Sequence, residues 1–431
     1  MKENSLLYKE TRFKMTEVGE IPEEWEVARI GDKEISEELF YGITAKATDR
    51  DTGVKMLRTT DIKDYLVNWE GLPFCEITDK RSNLTKYLLK KGDLVVARAG
   101  TIGVSILING DFDNVIFGSY LIKIRLKTAV DPKYIHYFFQ SSIYWKYLQK
   151  AQGSTLKNIN LPLLKSLEIP FPPLSEQRRV TGILSKADET IQKVDDEIKV
   201  IERLKKGLTQ TLLTKGIGHT IFKMTEIGEI PEEWKVVKLG EIIEFQYGIT
   251  ASASTENSGI HLLRITDIKD AGVKWGEIPF CKVNKVYTEK YKLNAGDVLI
   301  ARIGATTGKS CYVDRPVEGV FGSYLIRLKP RIKLINKFLY FLTKSSLYWN
   351  QVNKMREGQL KKGINTKLLG NLLILVPPLP EQQKIAEILS KIDQLLETQK
   401  NIKYKLERIK KGLMQNLLTG KIRFRSDNNA I

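Results

Sequence analysis

The chain has very few of the residues that build metal centres and hydrolytic sites. Its 431 residues include only three histidines and three cysteines. His136, His219 and His261 are scattered along the sequence, so they predict neither a zinc cluster nor a catalytic triad. Cys75 and Cys281 follow similar sequences, Leu-Pro-Phe and Ile-Pro-Phe, with no second thiol nearby. This spacing favours buried, hydrophobic cysteines over a disulfide or a zinc site.

Long apolar runs are also missing. No run reaches the roughly 18 residues of a membrane-spanning helix, and the first residues contain no apolar signal segment. The hydrophobic fraction of 42% and the charged fraction of 28% are typical of globular proteins. These features predict a cytoplasmic protein.

One segment resembles a nucleotide-binding loop but lacks its spacing. The segment 304–310, Gly-Ala-Thr-Thr-Gly-Lys-Ser, resembles a phosphate-binding loop, but three residues separate its glycines where that loop needs four. The strand-like Cys-Tyr-Val that follows could not direct a helix dipole at phosphate. The proline pairs also lack the Asn-Pro-Pro-aromatic pattern of adenine methyltransferases. The sequence therefore predicts a tight strand–turn–strand here and a protein without catalytic residues.

Positive charge is abundant. Lysine and arginine number 69 against 51 acidic residues, a formal net charge of +18. Such an excess suits a nucleic-acid partner, because Lys and Arg neutralise phosphates. A merely basic protein remains the alternative, since net charge reports on association and not on fold.

A duplication covers the chain. Segments 13–25 and 222–234 differ only at Val18 against Ile227, and further matches recur at offsets of 204 to 209 residues. Among them are the Tyr-Gly-Ile-Thr-Ala segments that begin at Tyr41 and Tyr247. A period this long indicates two similar folded units.

Each repeat begins with a mixed part of roughly 150 residues. Short strands follow Gly-Asp turns, and one helix is predicted from Asp131-Pro132 to Gln149, with a counterpart over 335–354. We therefore expect two similar α+β domains.

A proline cluster and a long helix end each repeat. After Pro-Pro-Leu-Ser-Glu-Gln, apolar residues recur at steps of four and three from Val180 to Leu212, and an equivalent series runs from Ile385 to Leu417. The pattern predicts two helices of about 38 residues that pair antiparallel as a coiled coil. Packing of each helix on its own domain, or on a partner, is the alternative. Gly207 and Gly412 lie inside these helices, where we expect close backbone approach.

This arrangement resembles the specificity subunit of type I restriction–modification systems. The likeness is carried by the two Gly-Glu-Ile-Pro-Glu-Glu-Trp segments, each followed by Pro-Pro-Leu-x-Glu-Gln and a long helix, and it extends from Phe13 to about Arg423. The resemblance implies two target-recognition domains (1–170 and 220–374), two spacer helices (171–219 and 375–425) and a tail (426–431). Each domain would read one half of a bipartite double-stranded DNA target, and the helices would set the gap.

The resemblance also implies partners. Adenine methyltransferase subunits and restriction/translocase subunits would dock on this chain and carry out catalysis. S-adenosylmethionine, ATP and magnesium are then expected only on those subunits, with no cofactor on this chain.

Candidate DNA contacts divide into shared and variable positions. Residues that both repeats share would hold phosphate or the fold, whereas variable loops would read bases. The variable loops are 46–51 against 252–257, 152–158 against 357–363, and 65–69 against 271–275. The candidates in the first repeat are Thr44, Lys46, Arg50, Arg58, Lys63, Asn68, Arg98, Ser119, Tyr120, Gln152, Ser154, Lys157 and Asn158. Those in the second are Thr250, Ser252, Ser254, Arg264, Lys269, Lys274, Arg302, Ser323, Tyr324, Gln359, Lys361 and Lys362.

Two other functions remain open at this stage. A non-specific clamp for duplex DNA or structured RNA would use the same charge, and a protein-only scaffold would use the helices alone. An enzyme with an unrecognised site has the weakest support.

Overall fold

The fold is taken from a computed structural model that describes residues 7–63, 65–76, 84–152, 158–269, 272–356 and 363–425. The chain divides into two compact units. Unit 1 comprises residues 1–194 and 402–431, and unit 2 comprises residues 195–401. Within the described ranges, no helix combines the length and the hydropathy needed to cross a membrane.

The strands that precede the second repeat are β1 (Leu7–Lys9), β2 (Phe13–Thr16), β3 (Gly19–Pro22), β4 (Glu26–Arg29), β5 (Ser36–Tyr41), β6 (Lys46–Thr48), β7 (Lys55–Leu57), β8 (Ile62–Lys63), β9 (Leu66–Val67), β10 (Phe74–Glu76), β11 (Leu94–Ala97), β12 (Ser105–Leu107), β13 (Val115–Phe117), β14 (Leu121–Leu126) and β15 (Glu168–Phe171). The helices are α1 (Pro132–Gln140), α2 (Ser142–Gln152), α3 (Leu161–Lys165) and α4 (Leu174–Leu212).

The strands of the second repeat are β16 (Phe222–Thr225), β17 (Gly228–Pro231), β18 (Lys235–Lys238), β19 (Ile243–Tyr247), β20 (His261–Leu263), β21 (Ile268–Lys269), β22 (Gly272–Val273), β23 (Val298–Ala301), β24 (Ser310–Tyr312), β25 (Gly319–Phe321), β26 (Leu325–Pro330) and β27 (Leu373–Val376), and β28 (Ile422–Phe424) closes the chain. The helices are α5 (Leu239–Ile242), α6 (Lys285–Tyr291), α7 (Asn336–Leu342), α8 (Ser346–Arg356), α9 (Thr366–Gly370) and α10 (Leu379–Leu417).

The two units share one sheet topology. In unit 1 the antiparallel order β12-β11-β14-β5 is accompanied by a parallel pair, β7 with β13. Unit 2 repeats this with β24-β23-β26-β19 and the parallel pair β20 with β25. The mixed strand and helix content confirms the predicted α+β class.

The predicted single helix after Asp131 is wrong, because the chain breaks it into α1 and α2. Ser141 has extended backbone angles, and its hydroxyl accepts a hydrogen bond from the backbone N–H of Tyr144 at 3.3 Å. Ser345 does the same for Tyr348 at 3.2 Å and separates α7 from α8. A serine that caps the following helix satisfies donors that would otherwise lack partners, so the chain turns there.

The long helices pair antiparallel inside each unit, as predicted. In unit 1, Val180 and Leu184 of α4 enter the core together with Met414 and Leu417 of α10. In unit 2 the roles exchange, and the start of α10 packs in one core with the end of α4. Each helix has 39 residues.

One lysine in the seam of each long helix forms a matching ion pair. Lys410 lies 2.6 Å from Asp188 in unit 1, and Lys205 lies 2.6 Å from Asp393 in unit 2. Both pairs join the same repeat positions with the helices exchanged. A charged seam position thus selects the antiparallel register, because in this register each lysine meets a carboxylate.

The expectation of close backbone approach at the helix glycines is wrong. Gly207 and Gly412 are exposed, and a Cβ atom at either position would meet nothing within 4 Å. Each glycine lowers helix stability, and no described part of the chain packs against it to offset this cost.

A junction of three parts secures each unit to the helices. The indole of Trp25 is fully buried and donates to Glu176, in the first turn of α4, at 3.1 Å. Gly420, just after α10, packs against the same indole, so closely that a Cβ would lie 3.1 Å from the ring and 2.4 Å from Pro22. In unit 2, Trp234, Glu381 and Gly216 repeat this arrangement.

The glutamine that follows each junction glutamate explains the Pro-Pro-Leu-x-Glu-Gln motif. Gln177 donates to the carbonyl of Pro172 at 2.9 Å and accepts from the backbone N–H of Asp131, which caps α1. Gln382 makes the equivalent bonds to Pro377 and Ile335. The motif therefore links the start of each long helix to the helix layer of its own unit.

In unit 1 a buried arginine completes the junction. Arg423 lies on β28, which pairs with β1, and its guanidinium bonds to Glu176, Glu10 and Glu24 at 2.9 Å. Burial by itself would raise the pKa of Glu10. Hydrogen bonds from the backbone N–H groups of Arg12 and Thr11, and from Arg423, lower that pKa to about 2.

Replacing Arg423 should therefore destabilise unit 1 and change its response to acid. We expect Arg423→Ala to cost about 3–5 kcal/mol, because it leaves buried carboxylates unpaired. In the unaltered chain, the Glu10 contribution is complete above about pH 5 and is lost as the pH falls towards 2, because the folded state binds protons less readily than the unfolded state. Arg423→Ala should flatten this acid dependence.

Urea unfolding of the full chain, with hydrogen exchange to locate the loss in unit 1, measures this effect. Arg12→Ala is the matched control, since Arg12 is exposed and its loss should stay within about 0.5 kcal/mol. Equal stabilities for Arg423→Ala and Arg12→Ala would contradict the role given to the buried cluster.

Candidate nucleic-acid interface

Four strands of unit 1 end at one edge and bring the shared candidate residues together. The backbone N–H of Gly118 donates to Leu57 at 3.0 Å, and that of Arg98 donates to Tyr120 at 2.9 Å. Gly42 lies against this turn so closely that a Cβ would be 2.3 Å from two backbone oxygens. Only glycine fits there. Tyr41, Arg58, Arg98 and Tyr120 therefore share an edge.

Arg98 is held in place by its neighbours. Its guanidinium lies 4.5 Å from the centre of the Tyr41 ring, and its Nε donates to Asn158 Oδ1 at 3.2 Å. The Tyr41 hydroxyl accepts from the backbone N–H of Leu161 at 2.9 Å. Tyr120 beside it is 64% exposed. A cation stacked on an aromatic ring, next to an exposed tyrosine, can bind a phosphate or a base.

Unit 2 repeats the same edge. Arg302 lies 5.1 Å from the Tyr247 ring, and the Tyr247 hydroxyl accepts from the backbone N–H of Thr366 at 3.2 Å. Tyr324 is 53% exposed. The backbone N–H of Arg302 donates to Tyr324, as that of Arg98 does to Tyr120. We call residues 41, 58, 98 and 120, and their counterparts 247, 264, 302 and 324, the strand-end edges.

One position distinguishes the two edges. Where unit 1 has Asn158, which bonds to Arg98, unit 2 has Gly363. The Nε of Arg302 is buried and, among the described residues, has no hydrogen-bond partner. The two arginines therefore have the same stacking but different hydrogen bonding.

The positive charges of Arg58 and Arg264 are each paired with a nearby aspartate. Each makes two hydrogen bonds to an aspartate three residues on, Asp61 or Asp267, at 2.8 to 3.1 Å. These bonds raise the pKa of Arg58 above its ordinary value, although burial acts in the opposite direction. Both guanidinium groups remain about 40% exposed. Because each charge already has a partner, we expect weaker phosphate contacts here than at Arg98 or Arg302.

The other described candidates of unit 1 are spread more widely. Thr44, Lys46, Arg50, Lys63 and Asn68 are exposed, while Ser119 is half-buried in the turn before Tyr120. Lys46 lies on β6 opposite Glu76. Gln152 ends α2. Their contact with DNA stays a prediction.

In unit 2, Thr250, Ser252 and Lys269 are exposed, and Ser323 is half-buried. The Ser254 hydroxyl accepts a bond from the backbone N–H of Glu256 at 3.0 Å, and Lys274 pairs with Glu277 at 2.9 Å, so both have local partners. The candidates that lie outside the described residues are Ser154, Lys157, Gln359, Lys361 and Lys362.

Sequence reasoning missed Tyr41 and Tyr247 as site residues. Both belong to the Tyr-Gly-Ile-Thr-Ala segments that are identical in the two repeats. That identity was the available signal, but only the fold shows that each ring lies beneath an arginine.

The glycine-rich turn and the cysteines, which could have suggested a nucleotide or metal site, have structural roles. Residues 304–306 form a short turn before β24, which pairs with β23, so the strand–turn–strand prediction is confirmed. Cys75, Cys281 and Cys311 are free and buried, and burial raises the pKa of each thiol. In the described part of the chain, His, Cys, Asp and Glu side chains form no group of three or more that could hold a metal ion.

Comparison with known proteins places this geometry in a family. The profile described as "Type I restriction modification DNA specificity domain" matches residues 22–203 and 231–408. A relative at 33% identity is the putative type I restriction enzyme MjaX specificity subunit of Methanocaldococcus jannaschii, with 97% of this chain and 98% of that protein covered. The MjaVIII specificity subunit of the same organism is 30% identical, with 98% of each chain covered.

The chain belongs to the family of type I restriction–modification specificity subunits.

A solved structure supports the fold of this specificity subunit. The type I restriction–modification S subunit from M. genitalium matches with a TM-score of 0.56 at 19% identity, and the match covers 93% of this chain and 96% of that one. The role in DNA sequence specificity, which the resemblance implied, follows from the family. The non-specific clamp and the protein-only scaffold are not favoured.

The strand-end edges should supply part of the affinity of this specificity subunit for DNA. We expect Arg98→Ala and Arg302→Ala each to weaken binding to all duplexes, and to reduce the slope of log affinity against log salt by about 0.9 if one phosphate contact is lost. Arg58→Ala should have a smaller effect, because Asp61 already compensates that charge. Fluorescence anisotropy at several salt concentrations measures both quantities.

Arg29→Ala is the matched control, since this arginine is 61% exposed and pairs with Glu168 on the β4–β15 sheet. An unchanged salt slope in both edge variants would show that the edges do not contact phosphate.

Proposed function

We propose that each unit of this specificity subunit reads one half of a bipartite DNA sequence through its strand-end edge and the loops beside it. The observation that carries the proposal is the duplicated edge, in which the same arginine, tyrosines and glycine turn recur in both units. Residues that are identical in the two units suit contacts to phosphates, which every DNA sequence offers. Loops that differ between the units suit contacts to bases.

The loops next to each edge differ in the way this proposal needs. Residues 46–51 contain Lys46 and Arg50, whereas residues 252–257 contain serines and Asn257. Asn158, which bonds to Arg98, is replaced by Gly363 in unit 2. Because the two units share a framework but carry different side chains, each unit would recognise a different half-site.

Exchange of one domain tests this assignment. Replacing residues 222–370 with the equivalent segment of another family member should change one half of the recognised sequence and leave the other half intact. Methylation mapping of the assembled complex reads out both halves. The reciprocal exchange in the first domain is the control, and it should change the other half. A change in both halves after one exchange would contradict one unit for one half-site.

We further propose that methyltransferase subunits dock on the exposed face of the paired helices. Leu204 of α4 and Ile409 of α10 are 51% and 57% exposed, and Gly207 and Gly412 follow three residues later on the same faces. Because glycine has no side chain, it leaves a shallow depression beside the exposed apolar residue. A partner helix can pack closely there.

Catalysis is assigned to the partners in this proposal. The chain itself would be non-catalytic, methylation would belong to adenine methyltransferase subunits, and ATP-dependent cleavage would belong to restriction subunits. S-adenosylmethionine, ATP and magnesium would be bound there. The subunit would act on DNA in the cytoplasm.

The long helices would set the gap between the half-sites. Both cross from one unit into the other, α4 after Val194 and α10 after Asn401. One added heptad in each helix, near Val194 and Gln399, adds about 10.5 Å at 1.5 Å per residue. The preferred gap should then grow by about three base pairs of roughly 3.4 Å each.

Selection from a pool of duplexes with variable gaps measures this preference. Three added base pairs also rotate the second half-site by about 100°, so weaker overall binding should accompany the longer gap. Extension of one helix alone is the control, and it should misregister the pair and lower stability. An unchanged gap preference in the doubly extended chain would show that other contacts set the spacing.

A further inference from the structure

The short helix α6 of unit 2 lies beside the strand-end edge. Lys292 follows this helix and pairs antiparallel with Val320 of β25. Since β25 leads into the turn that carries Tyr324, the antiparallel pairing places the residues before Lys292 at the same end of the sheet. The Tyr291 ring lies 6.0 Å from the Phe321 ring, which supports this position.

A second strand holds the helix at this end. The Gln246 side chain on β19 donates to the Lys290 carbonyl at 3.1 Å, and Gln246 immediately precedes Tyr247 of the strand-end edge. The start of the helix is capped by Asn284, whose side chain accepts from the backbone N–H of Tyr287 at 3.0 Å. Because the helix is capped and attached, a ligand that binds it has little ordering cost to overcome.

The variable loop 252–257 is joined to the segment that leads into α6. Ser254 and Phe280 exchange two backbone hydrogen bonds, at 2.8 and 3.0 Å. Glu256 of the same loop pairs with Lys282 at 2.8 Å. The loop, the helix and the strand-end edge therefore form one continuous surface of unit 2.

The helix presents an apolar and an aromatic side chain on this surface. Val286 is 75% exposed and Tyr287 is 46% exposed. The Tyr287 ring stacks on that of Tyr291, with the ring centres 6.2 Å apart, so its direction is fixed. Neighbouring apolar and aromatic side chains at the margin of a nucleic-acid interface suit base edges and the thymine methyl group.

The charge around the helix favours DNA over a protein partner. Residues 282–292 contain four lysines and one glutamate. Two of the lysines have carboxylate partners. Lys285 and Lys290 are exposed, and within the described ranges neither of them pairs with a carboxylate. Positive charge that no carboxylate neutralises attracts phosphate.

The segment differs between the repeats, as a base-reading segment should. Lys-Val-Asn-Lys-Val-Tyr-Thr-Glu follows Cys281, whereas Glu-Ile-Thr-Asp-Lys-Arg-Ser-Asn follows Cys75. The two sequences then agree again at Lys-Tyr, residues 86–87 and 290–291, and each lysine lies over the tyrosine ring that follows it. Residues 77–83 lie outside the described residues, so the difference is one of sequence. A shared framework therefore resumes directly after the variable segment.

We propose that α6 is a base-reading element of unit 2. Val286 and Tyr287 enter the major groove of the half-site, which is about 12 Å wide and admits an α-helix, and Lys285 contacts the phosphates beside it. The inference rests on the proposed function, which supplies duplex DNA as the partner. It adds a rigid, helical readout element to the three variable loops.

Selection of preferred sequences from a pool of random duplexes tests this role in the full chain. The half-site of unit 2 is the one that changes when residues 222–370 are exchanged. Val286→Ala with Tyr287→Ala should lower the discrimination at one or two adjacent base pairs of that half-site about fivefold or more. The half-site of unit 1 and the salt slope should stay the same, because neither substituted side chain is charged.

Two single variants separate base contact, phosphate contact and loss of the helix. Val286→Ala alone keeps the Tyr287–Tyr291 stack, so it should retain the thermal stability of the chain and still alter the preference at one base pair. Lys285→Ala should weaken binding to all duplexes and reduce the salt slope by about 0.9, with the same preferred sequence.

The matched control is Ile332→Ala with Lys333→Ala. β26 begins at the strand-end edge and ends at Pro330, so these two residues lie at the opposite end of the same sheet. Ile332 is 45% exposed, and Lys333 is exposed. This variant should retain the preference for both half-sites and the salt slope.

An unchanged preference in the variant that lacks both Val286 and Tyr287 would overturn the inference and leave the proposed function intact. A uniform loss of affinity with the same preferred sequence would make α6 a phosphate contact only, and would also overturn it. Loss of a bound protein subunit without any change of DNA preference would assign α6 to a protein partner instead. If the unaltered chain selected no sequence, the proposed function would fail first and the inference with it.

Discussion

The contact between a buried tryptophan and a glutamate in the first turn of a long helix holds each unit together. Trp25 with Glu176, and Trp234 with Glu381, tie the hairpin to the helix start. The glycine that ends the opposite helix then packs on the same indole. Because each helix starts at one such junction and ends at the other, the antiparallel pairing is selected by the junctions as well as by the apolar seam.

The two junctions differ in the groups that bond to the glutamate. In unit 2 the segment after Gly216 runs directly into the hairpin, and its backbone N–H at Ile217 and the ring of His219 bond to Glu381. In unit 1 the β1–β28 pair lies beside the junction, and Arg423 on β28 bonds to Glu176. The buried carboxylate of Glu176 therefore has a charged partner there.

Duplication lets the protein separate what must stay the same from what can change. The strand-end edges keep the stacked arginine and the glycine turn, because backbone oxygens approach too closely for any other residue. Beside them, Asn158 and Gly363 differ without disturbing the fold. In the proposed function, the shared positions would hold the framework and phosphate, and the positions that differ would read sequence.

Much of the architecture could be predicted because it rests on local or periodic signals. The repeats are visible as identical strings, and the long helices follow from apolar residues at steps of four and three. The helix predicted over 131–149 follows from its Asp131-Pro132 start, and that start does not report where the helix breaks. Only the capping bond of Ser141, together with the packing on each side, reveals the break. The expectation of close backbone approach at Gly207 and Gly412 was wrong because helix propensity does not indicate which atoms face a residue.

By itself, the sequence determined that there are two α+β units and two long helices, and its strongly positive charge suited a nucleic-acid partner. Such properties depend on composition, periodicity and repetition, which are local to the chain. The tertiary structure alone decided that Arg98 stacks on Tyr41 and that Lys410 finds Asp188. It also decided that Arg302 stacks on Tyr247, whereas Arg264 bonds to Asp267. The stacking contacts and the ion pair join residues tens to hundreds of positions apart, and their geometry depends on how strands and helices pack, which no local pattern encodes.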